Sequence, residues 1–95
     1  MTKKIIGPDC VIQRKSNLLF NEIDDEVVML SIENSEYYGM DKVGSRIWQL
    51  LEKPMPFKEL IESLMEEYAV TEEQCKEDSV TFLEQLTEKK LVEIL

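Results

Sequence analysis

Residues 36–51 read Glu-Tyr-Tyr-Gly-Met-Asp-Lys-Val-Gly-Ser-Arg-Ile-Trp-Gln-Leu-Leu, and the spacing of the apolar residues changes inside this stretch. Before Asp41, two tyrosines follow a polar turn, which is typical of a short β-strand. After Asp41, the residues Val43, Ile47, Trp48 and Leu51 recur at helical spacing, and Asp41 is well placed to cap the helix. The stretch therefore marks the border between a strand half and a helix half of the chain.

The strand half is predicted to be a three-stranded antiparallel meander. Residues 18–23 and 26–32 are rich in branched and aromatic residues, and the short polar turn Asp24-Asp25 between them indicates a β-hairpin. A second polar turn leads to the third strand at 36–40. The period of two divides the middle strand into one face with Val28, Leu30 and Ile32 and another with Val27, Met29 and Ser31. We also expect residues 10–14 to add a strand beside the first one.

The helix half is predicted to contain three helices. Pro54 and Pro56 end the first helix and start the second, which runs from about residue 57 to 68. Thr71 and Gln74 have the spacing of a capping box at the start of a third helix that runs to about residue 89. The apolar residues 91–95 are expected to fold back onto the core. The predicted fold is α+β, a winged helix-turn-helix in which a three-stranded meander precedes three α-helices, in a single domain over residues 1–95.

Composition argues against catalysis. The 95 residues include no histidine and only two cysteines, Cys10 and Cys75, so no general base for neutral pH and no partner for a thiolate are available. The three glycines are scattered and form no phosphate-binding loop. The paired acids of the helices are expected to be solvated surface. We therefore predict no catalytic residue, no metal site and no cofactor.

Charge argues against nucleic-acid binding. The net charge is −9, and residues 1–20 carry four cations and one acid, so the rest of the chain sums to −12. In a helix-turn-helix the recognition helix must offer cations and amides to DNA, but here it would carry six acids against Lys76 and Lys89. No segment is apolar and long enough for a signal peptide or a membrane span, so we expect a cytoplasmic protein.

An extended peptide fits this architecture better than DNA does. The strand at 36–40 ends the meander, so one row of its N–H and C=O groups is expected to be unpaired. Such an edge can accept a peptide as an additional strand, and the third helix can form the other wall of the groove. Ser79, Phe82 and Leu83 widen the apolar face of that helix, although each could equally belong to the core.

The segment from Tyr37 to Trp48 resembles the PqqD-like family, in particular the small standalone proteins of lasso-peptide gene clusters. The family pattern runs from a strand ending in Tyr-Tyr-Gly-Leu-Asn/Asp into Gly-x-x-Ile-Trp-x-Leu-Leu, and it continues with Glu-Leu and then Asp-x-x-x-Phe-Leu-x-x-Leu. The corresponding residues here are Glu59-Leu60 and the run from Asp78 to Leu86. The resemblance covers about residues 17–92. Lys90 departs from the pattern, because many members have glycine there.

The resemblance implies a non-enzymatic protein that binds the leader of a ribosomally made precursor peptide by β-strand addition. It implies a separate cysteine-protease leader peptidase as the partner to which the leader is presented, with a macrolactam synthetase as a further candidate. Carried over to this sequence, the family pattern implies backbone pairing by Glu36, Tyr37 and Tyr38. It implies a groove wall that contains Cys75, Asp78, Ser79, Phe82 and Leu83, whereas Ile47, Trp48 and Leu51 are assigned to the core.

Two alternatives belong to other functional classes. A quinone-cofactor pathway chaperone of the same family would deliver its peptide to a radical enzyme. A winged-helix transcription factor would bind DNA in a salt-dependent manner, which the acidic third helix argues against.

Overall fold

The computed structural model describes residues 6–15, 18–31 and 35–95 of the chain. Six strands and three helices lie in these ranges: β1 Val11–Arg14, β2 Leu19–Ile23, β3 Glu26–Ser31, β4 Glu36–Gly39, α1 Lys42–Leu50, β5 Met55–Pro56, α2 Phe57–Glu67, α3 Glu72–Glu88 and β6 Val92–Ile94. The α+β class, the meander and the three helices are as the sequence predicts. Ile32, Glu33 and Asn34, for which the sequence predicts a strand end and a turn, lie outside the described residues.

β2, β3 and β4 form the antiparallel meander, in that order. The two residues between β2 and β3, Asp24 and Asp25, have φ of 51° and 67°. Positive φ at both central residues defines the tight hairpin turn whose twist matches that of the flanking strands. In this sheet Val27 and Met29 are fully buried, whereas Val28 and Leu30 are partly exposed on the opposite face. The period-of-two prediction for β3 is therefore confirmed for these four residues.

The strand predicted at residues 10–14 exists, but the prediction that it lies beside the first strand of the meander is wrong. β1 lies between β5 and β6 in a second antiparallel sheet, with Ile12 paired to both Met55 and Ile94. The apolar tail thus folds back as β6, as expected. Ile12 is fully buried, so this small sheet closes one side of the core.

Arg14 connects the second sheet to α1 and the meander. Its Nε donates to the carbonyl oxygen of Trp48 at 2.9 Å, and its guanidinium carbon lies 4.5 Å from the Trp48 ring centroid and 5.3 Å from that of Phe20. Burial lowers the pKa of this guanidinium, and the nearby carboxylates of Glu52 and Glu22 oppose that shift. Through these cation–π contacts, Arg14 of the second sheet is linked to Phe20 of the meander and to Trp48 of α1.

The helices are capped largely where the sequence predicts. The Asp41 carboxylate accepts from the N–H of Gly44 at 2.7 Å, and the Thr71 hydroxyl accepts from the N–H of Gln74 at 3.2 Å. The Gln74 side chain donates to Asp78 instead of taking part in a capping box. The predicted core residues Ile47, Trp48 and Leu51 are all at most 2% exposed.

α3 ends in a Schellman motif that Lys90 completes. Lys90 has φ of 60°, the N–H of Leu91 donates to the Leu86 carbonyl at 2.9 Å, and the N–H of Lys90 donates to the Thr87 carbonyl at 3.0 Å. These two bonds satisfy carbonyls at the helix end, and glycine is the usual residue at the position of Lys90. The helix therefore ends where the family pattern has its glycine, although the residue here is lysine.

Candidate functional site

The outer edge of β4 presents backbone hydrogen-bonding groups that β3 does not use. The N–H of Met40 donates to the Val27 carbonyl at 2.9 Å, and Tyr38 is paired with Met29. Because N–H groups alternate in direction along a strand, Tyr38 and Glu36 also direct their polar groups toward β3. Tyr37 and Gly39 therefore direct theirs away from the sheet. The two-residue turn between β2 and β3 leads to the same conclusion. It makes Ile23 and Glu26 a hydrogen-bonded pair, and alternation along β3 then directs the backbone polar groups of Met29 toward β4, where Met29 is paired with Tyr38.

A serine of α1 holds this edge in place. The buried Ser45 hydroxyl accepts from the N–H of Val27 at 2.7 Å and donates to the carbonyl of Met40 at 3.2 Å. It thus takes the place of one bond between β3 and the end of β4. Because the Ser45 hydroxyl bonds to both the Val27 N–H and the Met40 carbonyl, the chain can leave the sheet after Gly39 while both of these groups keep a hydrogen-bond partner. The position of the β4 edge relative to α1 is therefore set by a specific contact.

One flank of α3 faces β4 and the start of α1. Lys89 Nζ lies 4.2 Å from the ring centroid of Tyr38. The Phe82 ring packs against Gly44 so closely that a Cβ at Gly44 would lie 3.0 Å from its Cε1 and Cζ atoms. Phe82 and Lys89 are seven residues apart and share this flank with Asp78 and Gln85. The rotation of α3, which the sequence leaves open, is thus settled by two contacts.

The groove-wall residues predicted on α3 separate into two groups. Cys75, Ser79 and Leu83 are 6%, 3% and 0% exposed, so their side chains belong to the core beneath the flank. Burial raises the pKa of the Cys75 thiol, which disfavours the reactive thiolate. Asp78 and Phe82 remain on the flank that faces β4.

Sequence reasoning does not identify Gln85 and Lys89 as residues of the flank that faces β4. The apolar pattern of α3 identifies its buried side but gives no indication of which polar flank lies beside β4. Of the three residues expected to pair with a peptide through the backbone, Tyr37 alone directs its N–H and C=O groups outward. Gly39, which was not among the three, does so as well. Glu36 and Tyr38 contribute side chains on the face that Met40 shares.

The meander also exposes an apolar outer face on the side opposite the core. Leu19, Leu30 and Tyr37 lie directly across from one another on the three strands, with Val28 in the next row and Ile23 near the hairpin turn. Leu19, Ile23 and Tyr37 are 56%, 58% and 75% exposed. The acids Asp24, Asp25 and Glu26 lie at the hairpin-turn end of this face. This outer face borders the open edge at Tyr37.

Within residues 6–15, 18–31 and 35–95, no group of three His, Cys, Asp or Glu residues could hold a metal ion. None of the helices in the same ranges combines the length and apolarity that a membrane crossing requires. Among the described residues, the site consists of a strand edge with no further strand paired to it, two aromatic rings, a cation and a carboxylate along a groove.

Comparisons with known proteins agree with this architecture. The family model described as coenzyme PQQ synthesis protein D matches residues 26–92, and the chain belongs to this PqqD family. The solved structure of TbiB1 in complex with the TbiA(beta) leader peptide is 37% identical, with a TM-score of 0.80, over 85% of this chain and 94% of that one. A lasso peptide synthetase B1 complexed with the leader peptide has the same fold at 17% identity and a TM-score of 0.70, over 86% of this chain and 96% of that one. None of the curated proteins compared with the chain matches it significantly.

Proposed function

We propose that this protein binds the leader segment of a ribosomally made precursor peptide as a fourth strand beside β4. The observation that carries the proposal is the pairing of an open edge, at Tyr37 and Gly39, with the facing flank of α3. Main-chain hydrogen bonds to the edge supply affinity, and the side chains of the groove supply selectivity. The similarity to TbiB1, whose structure holds a leader peptide, supports leader binding by this chain.

The proposed role is that of a non-catalytic adaptor in lasso-peptide biosynthesis. The bound leader would be presented to a separate leader peptidase, with a macrolactam synthetase as a further candidate partner. The apolar outer face of the meander supports this role, because large exposed apolar patches on a small protein are typical of partner-binding surfaces. Its acidic rim favours a partner surface that has basic residues around an apolar centre.

A pair of proline substitutions tests strand addition. Tyr37→Pro removes an N–H that faces the open edge, so leader affinity should fall about three- to tenfold while the fold is retained. Tyr38→Pro removes an N–H that β3 uses, so it should mainly lower stability. Affinity is measured by fluorescence anisotropy with a labelled leader peptide that binds the wild-type protein, and stability by urea unfolding.

Amide exchange gives an independent test of the same edge. Saturation with the leader should slow exchange of the Tyr37 and Gly39 amides most, because only these β4 amides acquire a new acceptor. The amides of Glu36 and Tyr38 serve as internal controls, since β3 already protects them. If a leader binds and the Tyr37 and Gly39 amides exchange at the free rate, strand addition beside β4 is wrong.

A further inference from the structure

The contact between Lys89 and Tyr38 places a positive charge beside the open edge of β4. Lys89 is the C-cap residue of α3 and is half-buried, and its ammonium lies 4.2 Å from the Tyr38 ring centroid. A cation at this end of a helix interacts favourably with the negative end of the helix dipole. Both interactions favour a position of the ammonium at this end of the groove.

The pairing pattern determines which peptide residue meets this ammonium. A peptide strand beside β4 would exchange hydrogen bonds with Tyr37 and Gly39, so the peptide residue between those two bonded rungs lies opposite Tyr38. Directly opposite side chains lie on the same face of a sheet, with Cβ atoms about 4.5–5.5 Å apart. The side chain of that peptide residue therefore points toward α3, where it meets the Tyr38 ring and the Lys89 ammonium.

We propose that Lys89 and Tyr38 form a subsite for a carboxylate side chain, Asp or Glu, on the peptide residue opposite Tyr38. The proposal rests on the function proposed above. A lysine ammonium has three donors, so it can form a charge-assisted hydrogen bond to a carboxylate while it contacts the ring. Partial burial of Lys89 reduces screening of that bond by solvent. The subsite selects for charge, in contrast to the apolar contacts expected near Phe82.

Other charged residues on the same face limit the preference for an acid to one position of the peptide. Glu36 shares its face of β4 with Tyr38, so it disfavours a carboxylate on the peptide residue opposite itself. Asp78 lies on the same flank of α3 as Lys89 but three turns away, and it disfavours a carboxylate at the far end of the groove. The expected pattern is therefore a single acid opposite Tyr38, with no acid at the peptide residue opposite Glu36.

A displayed library of random 20-residue peptides tests this subsite whatever the sequence of the natural leader is. Binders are selected in parallel on the wild-type protein, on Lys89→Gln and on Lys76→Gln. Lys76 is the matched control, because it carries the same charge on the opposite flank of α3, where it pairs with Glu72 at 3.6 Å. Aligned binders from the wild type and from Lys76→Gln should share one enriched acidic position. That enrichment should be lost on Lys89→Gln.

One selected peptide then shows how much the acid contributes to binding affinity. Replacing its enriched acid with the matching amide should weaken binding to the wild type about three- to tenfold and leave binding to Lys89→Gln nearly unchanged. Melting curves check that each variant is folded. Binders without an enriched acid, or an enrichment that survives in Lys89→Gln, would overturn the subsite while leaving strand addition intact. A selection that yields no binder to the β4 edge would overturn the proposed function and the subsite together.

Discussion

Lys90 adopts a backbone conformation that a lysine reaches only at a cost. Its φ of 60° is required by the Schellman motif at the end of α3, and a side chain with a Cβ is disfavoured there. Lys90→Gly should therefore raise the free energy of unfolding by about 0.5–1 kcal/mol, even though glycine increases the entropy of the unfolded chain. Urea unfolding followed by circular dichroism measures the change.

The neighbouring lysine supplies the control for this prediction. Lys89 has φ of −85°, where glycine brings no relief of strain, so Lys89→Gly should lower the free energy of unfolding. If Lys90→Gly and Lys89→Gly destabilise the protein equally, the strain assigned to Lys90 is not present in solution.

Ser45 is the residue on which the position of β4 most depends. Ser45→Ala removes the acceptor of the Val27 N–H and the donor to the Met40 carbonyl, and both groups are buried. A buried polar group that loses its partner costs about 1–3 kcal/mol, so the free energy of unfolding should fall by at least that amount. Thr81→Ala, which removes an exposed hydroxyl bonded to Glu77, should change it by less than about 0.5 kcal/mol. Equal effects of the two substitutions would contradict the role assigned to Ser45.

At the scale of elements, the close approach of α3 to α1 depends on Gly44. A methyl group at this position would lie 3.0 Å from the Phe82 ring and 3.1 Å from the Asp41 carboxylate. Gly44→Ala should therefore lower the free energy of unfolding by about 1 kcal/mol, because overpacking outweighs the better helix propensity of alanine. It should also weaken leader binding, because Phe82 must move along the proposed groove.

A substitution of Phe82 should reverse the effect of Gly44→Ala on the free energy of unfolding. Phe82→Leu removes the ring carbons that crowd Gly44, so in that background Gly44→Ala should be neutral or stabilising by up to about 1 kcal/mol. The double-mutant cycle, measured by urea unfolding, isolates the contact between the two helices. Additive effects in the cycle would mean that Phe82 does not press on Gly44.

The sequence predicts the positions of the strands and helices better than it predicts which strands pair with one another. The hairpin at Asp24-Asp25 and the caps at Asp41 and Thr71 depend on neighbouring residues, and their patterns are visible locally. β1 pairs with β5 and with β6, whose residues lie 78 to 82 positions further along the chain, and no local pattern encodes that pairing. The short strand β5 includes a proline, which disfavours a strand prediction.

The candidate site shows the same division. The open edge of the last meander strand follows from the order of the strands, so the sequence predicts its location. The residues on the groove side of α3 depend on the rotation of the helix, which contacts with Gly44 and Tyr38 determine. For that reason the sequence places Asp78 and Phe82 in the groove together with the buried Cys75, Ser79 and Leu83, and it does not identify Lys89.

At the scale of the whole molecule, the net charge of −9 acts against the compact state. The ion pairs in the described ranges, such as Arg46 with Glu67 at 2.7 Å, lie at the surface, where each contributes little. Raising NaCl from about 20 to about 500 mM should therefore increase the free energy of unfolding, by about 1 kcal/mol or less, because screening reduces the repulsion more than it weakens these pairs. A fall in stability with salt would show that the ion pairs dominate.

The acids around the apolar outer face also bear on the colloidal behaviour of the protein. A sheet with an uncovered apolar face and an open edge can stack or extend with other copies of itself, which leads to precipitation. At neutral pH the negative charges of Asp24, Asp25 and Glu26 keep such copies apart. As the solution approaches the isoelectric point near 4.5, the net charge of the protein falls toward zero and that repulsion is lost. Purification at about pH 7 or above, or together with a leader peptide that occupies the β4 edge, should keep the protein monodisperse.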